Sequence, residues 1–340
     1  MTQYRDKYLI GSSARSRSIA EFDLGSFDLV LVAPSWDRRS ICIVDAQLTA
    51  DKIMILRFNL KDPGGLQLHH EAQLEGFASR ICHDILDIRG DATALREMWG
   101  RIWTTISHLR HEKRRPLRLL IDLSTCPRFY SLGVIAGTLR SGLAQSLTVL
   151  YAEGKYGKTP LPLNVEYPFT VGHWRANPVP FLLGSAAPTK RKHFIVSVGF
   201  EGRRTARALA KEDPDRVSVL FPKPGTDRGY VKQARERNSA TIEEYRIPKR
   251  NIVNAPAGDA VAVWKNLSEA NLERPDLEEV SYLCCGTKPH SLGMALRAVC
   301  LDFPTVLYNL PEAHSFVDVW PTGIYWKYEL RDLSSFPIIP

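Results

Sequence analysis

Two short stretches place small hydroxyl residues beside a cation in a way that suits a phosphate ester. One is Asp122-Leu123-Ser124-Thr125-Cys126-Pro127-Arg128, and the other is Cys285-Gly286-Thr287-Lys288-Pro289-His290. Small residues let a ligand approach the backbone closely. A second pair carries an acid followed by two arginines: Pro34-Ser35-Trp36-Asp37-Arg38-Arg39-Ser40 and Phe200-Glu201-Gly202-Arg203-Arg204-Thr205. A guanidinium fork beside the free amides of a helix start matches phosphate geometry. Each stretch also has a purely structural assignment, in which the arginines pair with Asp37 or Glu201 and the hydroxyls cap ordinary β–α turns. Other chemistries are less well supported. No HExxH or CxxC pattern is present, so no metal is expected. No GxSxG, GxGxxG or GxxxxGK[ST] is present either, so no cofactor is expected. Arg128 follows Cys126 by only two positions, which is not a phosphatase loop. His69, His70, His83, His108 and His111 lack carboxylates at ligand spacing and read as surface or core.

The elements that must position these stretches repeat. FDLVLVA (27–33) matches HFIVSVG (193–199), SWDRRS (35–40) matches EGRRTA (201–206), and KIMILRFN (52–59) matches RVSVLFPK (216–223). STCP (124–127) then matches GTKP (286–289), SLG recurs at 131–133 and 291–293, and TVLY recurs unchanged at 148–151 and 305–308. Six matches in order, with offsets falling smoothly from 166 to 157, indicate internal duplication. Each half opens with an apolar run lacking polar alternation, the mark of a strand buried on both faces. A polar turn, a helical stretch and further strands follow.

The expected fold is therefore α/β: two tandem Rossmann-like lobes, each a mainly parallel sheet flanked by helices and related by internal duplication. The boundaries read as an N-terminal segment 1–24, a first lobe 25–160, a Pro/Gly-rich linker 161–190, a second lobe 191–312 and an aromatic tail 313–340 packing on the lobes. In the first half, helical periodicity is read at 75–88 and 92–112, the latter with Trp99 and Trp103 on a core stripe.

Composition narrows the class. The chain has 340 residues, 44% hydrophobic and 24% charged, ample for a buried core and inconsistent with global disorder. No apolar run is long enough for a membrane helix. The N-terminus lacks a secretory signal, and six cysteines are too few for a disulfide scaffold, which points to the cytoplasm. The net charge of +8 favours polyanionic partners, and the basic residues cluster at 110–118, 188–193 and 202–207.

The run Gly286-Thr287-Lys288 leading into Ser291–Leu296 resembles the strand–turn–helix motif of CRISPR-associated Rossmann-fold (CARF) domains. Two such lobes in one chain resemble the related SAVED arrangement. Ser124, Thr125 and Arg128 match the motif less closely, and Cys284-Cys285 departs from the residues the family carries before the glycine. The resemblance implies a nucleotide-binding sensor of a cyclic oligonucleotide second messenger in prokaryotic antiviral defense. It would act through a partner effector in the same system or by ligand-driven homo-oligomer assembly. The implied ligand-binding residues are Ser35, Trp36, Arg38, Arg39, Ser124, Thr125, Arg128, Phe200, Glu201, Arg203, Arg204, Gly286, Thr287 and Lys288. Lys288→Ala and Arg203→Ala are expected to weaken binding without unfolding the chain. One alternative is a metal-independent phosphodiesterase that degrades such a ligand through Ser124, Thr287 and Lys288. Another is an adaptor for nucleic acid or protein, using Arg15, Arg17 and the 110–118 cluster.

Overall fold

A computed structural model describes residues 2–6, 9–59, 62, 64–82, 84–156, 170–172, 174–184, 190–225, 227–301, 303–314, 316–317 and 319–333. His83 and half of the expected linker lie outside the described residues.

The strands are β1 (Thr2–Arg5), β2 (Ile10–Ser16), β3 (Ser26–Val32), β4 (Thr49–Phe58), β5 (Asp84–Gly90), β6 (Leu117–Asp122), β7 (Ala144–Tyr156), β8 (Thr170–Val171), β9 (Arg175–Pro178), β10 (Arg191–Ser197), β11 (Arg216–Pro222), β12 (Ile252–Ala255), β13 (Glu278–Cys284), β14 (Thr305–Leu310), β15 (Ala313–His314) and β16 (Val319–Arg331). The α-helices are α1 (Leu66–Ile81), α2 (Leu95–Lys113), α3 (Arg128–Arg140), α4 (Gly202–Glu212), α5 (Arg228–Arg237), α6 (Ser239–Glu244), α7 (Ala260–Ala270) and α8 (Lys288–Leu301).

One sheet runs β1-β2-β16-β7-β6-β3-β4-β5, and the other runs β12-β11-β10-β13-β14-β9. Strands β7-β6-β3-β4-β5 are mutually parallel, as are β12-β11-β10-β13-β14. Counted along the chain within each lobe, both parallel sets read 3-2-1-4-5 from one edge. The six repeated landmarks fall on equivalent elements: β3 and β10, the turns after them, β4 and β11, the turns after β6 and β13, α3 and α8, and β7 and β14. The molecule is thus two Rossmann-like lobes of one topology.

The apolar runs explain the central strands. Phe27 to Val32 in β3 and His193 to Ser197 in β10 are buried throughout, as strands covered on both faces must be. Every residue from Phe129 to Arg140 in α3 and from Pro289 to Cys300 in α8 is buried too. These two equivalent helices pack on each other, and Arg140 Nη2 donates to the Ala298 carbonyl at 3.2 Å. One apolar cluster therefore runs through both lobes, and each lobe has a further cluster of its own.

Three elements differ from the sequence reading. The stretch 75–88 is not one helix: α1 ends at Ile81 and Asp84–Gly90 forms edge strand β5. With one strand neighbour, β5 buries only Ile88 fully, so its apolar signal is weak. The helical stretch after β3 is a 3₁₀ run, Arg38–Asp45, whereas its counterpart α4 is α-helical. Within the aromatic tail, Val319–Arg331 is a strand. Trp326, Tyr328 and Leu330 are buried and alternate with Lys327, Glu329 and Arg331, and this period of two fits β16 between β2 and β7. The terminal strands also brace the second lobe: Ser13 Oγ donates to Asp259 Oδ1 at 2.7 Å and the Tyr328 hydroxyl to the Gly258 carbonyl at 2.6 Å.

The 110–118 cluster serves the fold at the other end of the first sheet. Asp28, fully buried, lies 2.6 Å from Arg115 and 3.3 Å from Arg118. Burial pushes its carboxyl up, but hydrogen bonds from the two arginines outweigh this and hold it well below the usual carboxylate range. Among the described residues, no helix is long and apolar enough to cross a membrane.

Candidate functional site

Parallel α/β sheets bind ligands beyond the carboxyl ends of their strands, where the strand order switches. Here the switch lies between β3 and β6 in the first lobe and between β10 and β13 in the second. The turns after β6 and β13 face each other there. The Thr125 hydroxyl donates to the Ala33 carbonyl at 2.6 Å, and that of Thr287 to the Ala257 carbonyl at 2.8 Å. Gly286 fits closely at its position, where a Cβ would sit a tight 3.0 Å from Ser197 Cβ and 3.1 Å from the Val198 carbonyl.

Two cations tie these turns together. Lys288 Nζ donates to the carbonyls of Leu123, Ser124 and Cys126 at 2.9, 2.9 and 2.7 Å. All three protons of its ammonium are thereby engaged, so Lys288 is an interlobe strut and not a free phosphate ligand. Burial pushes its pKa down to about 7 and the nearby Arg39 guanidinium acts in the same direction, while the three carbonyls favour the charged form. In the reverse direction, Arg128 Nη2 donates to the Gly286 carbonyl at 2.5 Å. Its Nε is buried and has no partner.

The acid–arginine turns follow the structural assignment in part. Arg39 is buried and forks onto Asp37 at 2.6–3.1 Å, reaching also the Ala152 carbonyl at 3.4 Å. Its guanidinium lies against Gly154, where a Cβ would come within 3.0 Å of Cζ. Arg204 pairs with Glu201 at 3.3 Å, donates to the Thr170 carbonyl and lies over the Trp174 ring. Arg38 stacks on Trp320, 3.9 Å from its centroid.

Two adjoining hollows open at this junction. The larger, about 260 Å³, lies at the strand ends of the second lobe, and the smaller, about 220 Å³, at those of the first. Arg39, Arg128, Tyr156, Lys288 and Tyr308 line both. Of the residues expected from sequence, Ser35, Trp36, Arg39, Ser124, Thr125, Arg128 and Lys288 line the smaller, while Phe200, Glu201, Gly286 and Thr287 line the larger. Arg38, Arg203 and Arg204 line neither, and Arg203 is exposed on α4. Arg203 therefore sits exposed in the first turn of α4, outside both hollows.

The sequence reading overlooked Tyr151, Glu153, Tyr156, Trp174, Tyr230, Tyr308 and Asn309, all of which line the larger hollow. A signal was available for two of them. Tyr151 and Tyr308 are the last residues of the two identical TVLY segments and reach the site from equivalent strands.

The lining is less basic than the whole chain. Arg39, Arg128 and Lys288 are balanced by Asp37, Glu153 and Glu201. The acids, however, are engaged: Asp37 by Arg39, Glu201 by Arg204, and Glu153 by the Trp326 indole N–H at 2.6 Å. Arg128 lines both hollows and keeps a buried Nε without a partner. The residues suggested for cleavage are committed to the backbone: Ser124 Oγ accepts from the Ala152 amide, Thr287 donates to Ala257, and Lys288 holds its three carbonyls. Burial pushes the Cys126 thiol up to about 12, so it is not a thiolate near neutral pH.

No protein-family model matches the chain. No curated protein matches it either. Among solved structures, the cytoplasmic domain of a prokaryotic cation chloride cotransporter is similar over 84% of this chain and 96% of that one, at 11% identity and a TM-score of 0.23. A likeness of that degree carries no argument about fold or function.

Proposed function

We propose that the chain is a binding module for a cyclic oligonucleotide second messenger, of the CARF/SAVED type, in prokaryotic antiviral defence. It passes the signal to a partner effector or assembles when ligand binds. The observation that carries this reading is the pair of adjoining hollows beyond equivalent strand ends, with the unfilled donor of Arg128 between them. Small-molecule pockets typically measure roughly 300–1,000 Å³. Each hollow alone falls short of that, and the two joined reach it. A ligand of repeated units spanning both would match the repeated lobes. Tyr151, Tyr156, Phe200 and Tyr230 offer aromatic surface for bases, and Arg128 offers a charge-assisted contact for phosphate.

The test is a thermal-shift panel of cyclic di-, tri- and tetranucleotides. At a hundredfold excess over Kd, a bound ligand adds about 2.7 kcal/mol of stability. One class should raise Tm in the wild-type protein and fail to do so in Arg128→Ala. No shift with any of the panel overturns the reading.

A further inference from the structure

Besides Arg128, the lining of the larger hollow includes a second residue with a polar atom that the fold leaves unsatisfied. Asn309, in β14, is 6% exposed, and its Nδ2 donates to Cys285 Sγ at 3.2 Å. Its Oδ1 is buried without a partner, although the residue lines the hollow. A stranded buried acceptor destabilises a fold, and native proteins leave few of them. An unmet acceptor on a residue that lines a cavity can be satisfied by a donor that arrives with a ligand.

The surrounding wall fits a flat heterocycle. Phe200 meets Tyr156 edge to face, with centroids 5.8 Å apart and an interplanar angle of 84°, and meets Tyr230 at 5.2 Å and 74°. The Tyr230 hydroxyl is fixed by accepting from the Tyr156 amide at 3.0 Å and donating to the Tyr156 carbonyl at 3.2 Å. The wall joins the end of β7, the turn after β10 and α5, so it is held by both lobes and set before any ligand enters. Aromatic walls of this kind take the face of any base, and an amide at the edge supplies the selection.

We propose that the larger hollow is a nucleobase pocket, in which Asn309 Oδ1 accepts an N–H from the base edge and the Tyr156–Phe200–Tyr230 wall contacts its face. The pocket deepens the cyclic-oligonucleotide reading and rests on it. The phosphate attached to that nucleoside lies at Arg128, where the two hollows meet.

The experiment compares AMP, GMP, CMP and UMP with ribose 5-phosphate, at millimolar concentration, by ligand-observed NMR titration of the wild-type chain, Asn309→Leu and Asn309→Ala. The expected result is that at least one nucleotide binds wild type ten times or more tightly than ribose 5-phosphate does. Both variants lose that advantage while ribose 5-phosphate binding stays unchanged. Because Asn309→Leu removes a stranded acceptor, its Tm should match or exceed that of wild type. Equal binding of nucleotides and ribose 5-phosphate, or nucleotide binding unaffected in both variants, overturns the pocket and leaves the broader reading standing. The same holds if no mononucleotide binds while a cyclic oligonucleotide does. If neither mononucleotides nor any cyclic oligonucleotide binds, both fail.

Discussion

Lys288 and Cys126 occupy the same place in the two repeated turns, and the Lys288 ammonium donates to the Cys126 carbonyl at 2.7 Å. In a pseudo-two-fold arrangement a residue touches its own counterpart only near the axis. The equivalent helices α3 and α8 also pack on each other. Both contacts put the junction of the lobes at these turns, where the two hollows adjoin.

The strut makes Lys288 a stability residue first. Lys288→Met strands three buried carbonyls, each costing roughly 1–3 kcal/mol, and the chain should lose about 3 kcal/mol in urea melts. An unchanged urea midpoint would show that Lys288 does not hold the lobes together. This reverses the sequence-based expectation that the lysine can be removed without cost to the fold.

Arg128 and Arg203 should separate cleanly. Arg128→Ala removes the contact between the hollows and should weaken binding of a cyclic oligonucleotide by about 1.5–3 kcal/mol, the range for a charged hydrogen bond. Arg203→Ala, on the exposed face of α4, should bind like wild type. Calorimetric titration of both variants checks the pair, and equal losses would place the anion site elsewhere.

Gly286→Ala should destabilise the chain. The new Cβ meets Ser197 Cβ and the Val198 carbonyl at 3.0 and 3.1 Å, so β10 and the turn after β13 must give by a few tenths of an ångström. The cost should be about 1–3 kcal/mol, as for other overpacked sites. Thermal unfolding with an unchanged midpoint would show that this contact yields freely.

Acid should weaken the fold through His290. It is fully buried, with Nε2 3.1 Å from the Pro256 carbonyl, and burial lowers its pKa from 6.5 to about 4. Between those values the unfolded chain holds the extra proton, so stability rises with pH across the window and falls on acidification. Asp122, pushed up to about 6 by burial, contributes with the opposite sign from its ordinary 3.8 upward. The difference between wild type and His290→Gln isolates the histidine. Urea midpoints between pH 4 and 6.5 should vary less in the variant, by up to about one proton in slope. Identical slopes would mean that His290 titrates normally in the fold.

Much of the fold was legible in the chain because its evidence is local and repeated. The unbroken apolar runs of β3 and β10 announce strands covered on both faces, and six ordered matches announce the duplication. β5 was harder, since an edge strand buries little and leaves a faint apolar pattern. The alternation of Trp326, Tyr328 and Leu330 did encode β16, yet only pairing with β2 and β7 shows where that strand goes. At the site, cation spacing pointed to Lys288 and Arg128 but could not tell a strut from a ligand contact. The partners of Lys288 are backbone carbonyls from a turn over 160 positions away, and carbonyls leave no trace in a sequence. Asn309 stands out only once it is found lining a hollow with one end of its amide unmatched.

The central claim is that the two hollows form one site for one modular ligand. Isothermal titration of the wild-type chain with the cyclic oligonucleotide that raises its Tm tests this most directly. The account predicts one ligand per chain, with a single affinity that Arg128→Ala weakens. Two ligands per chain, or binding indifferent to Arg128, would contradict it.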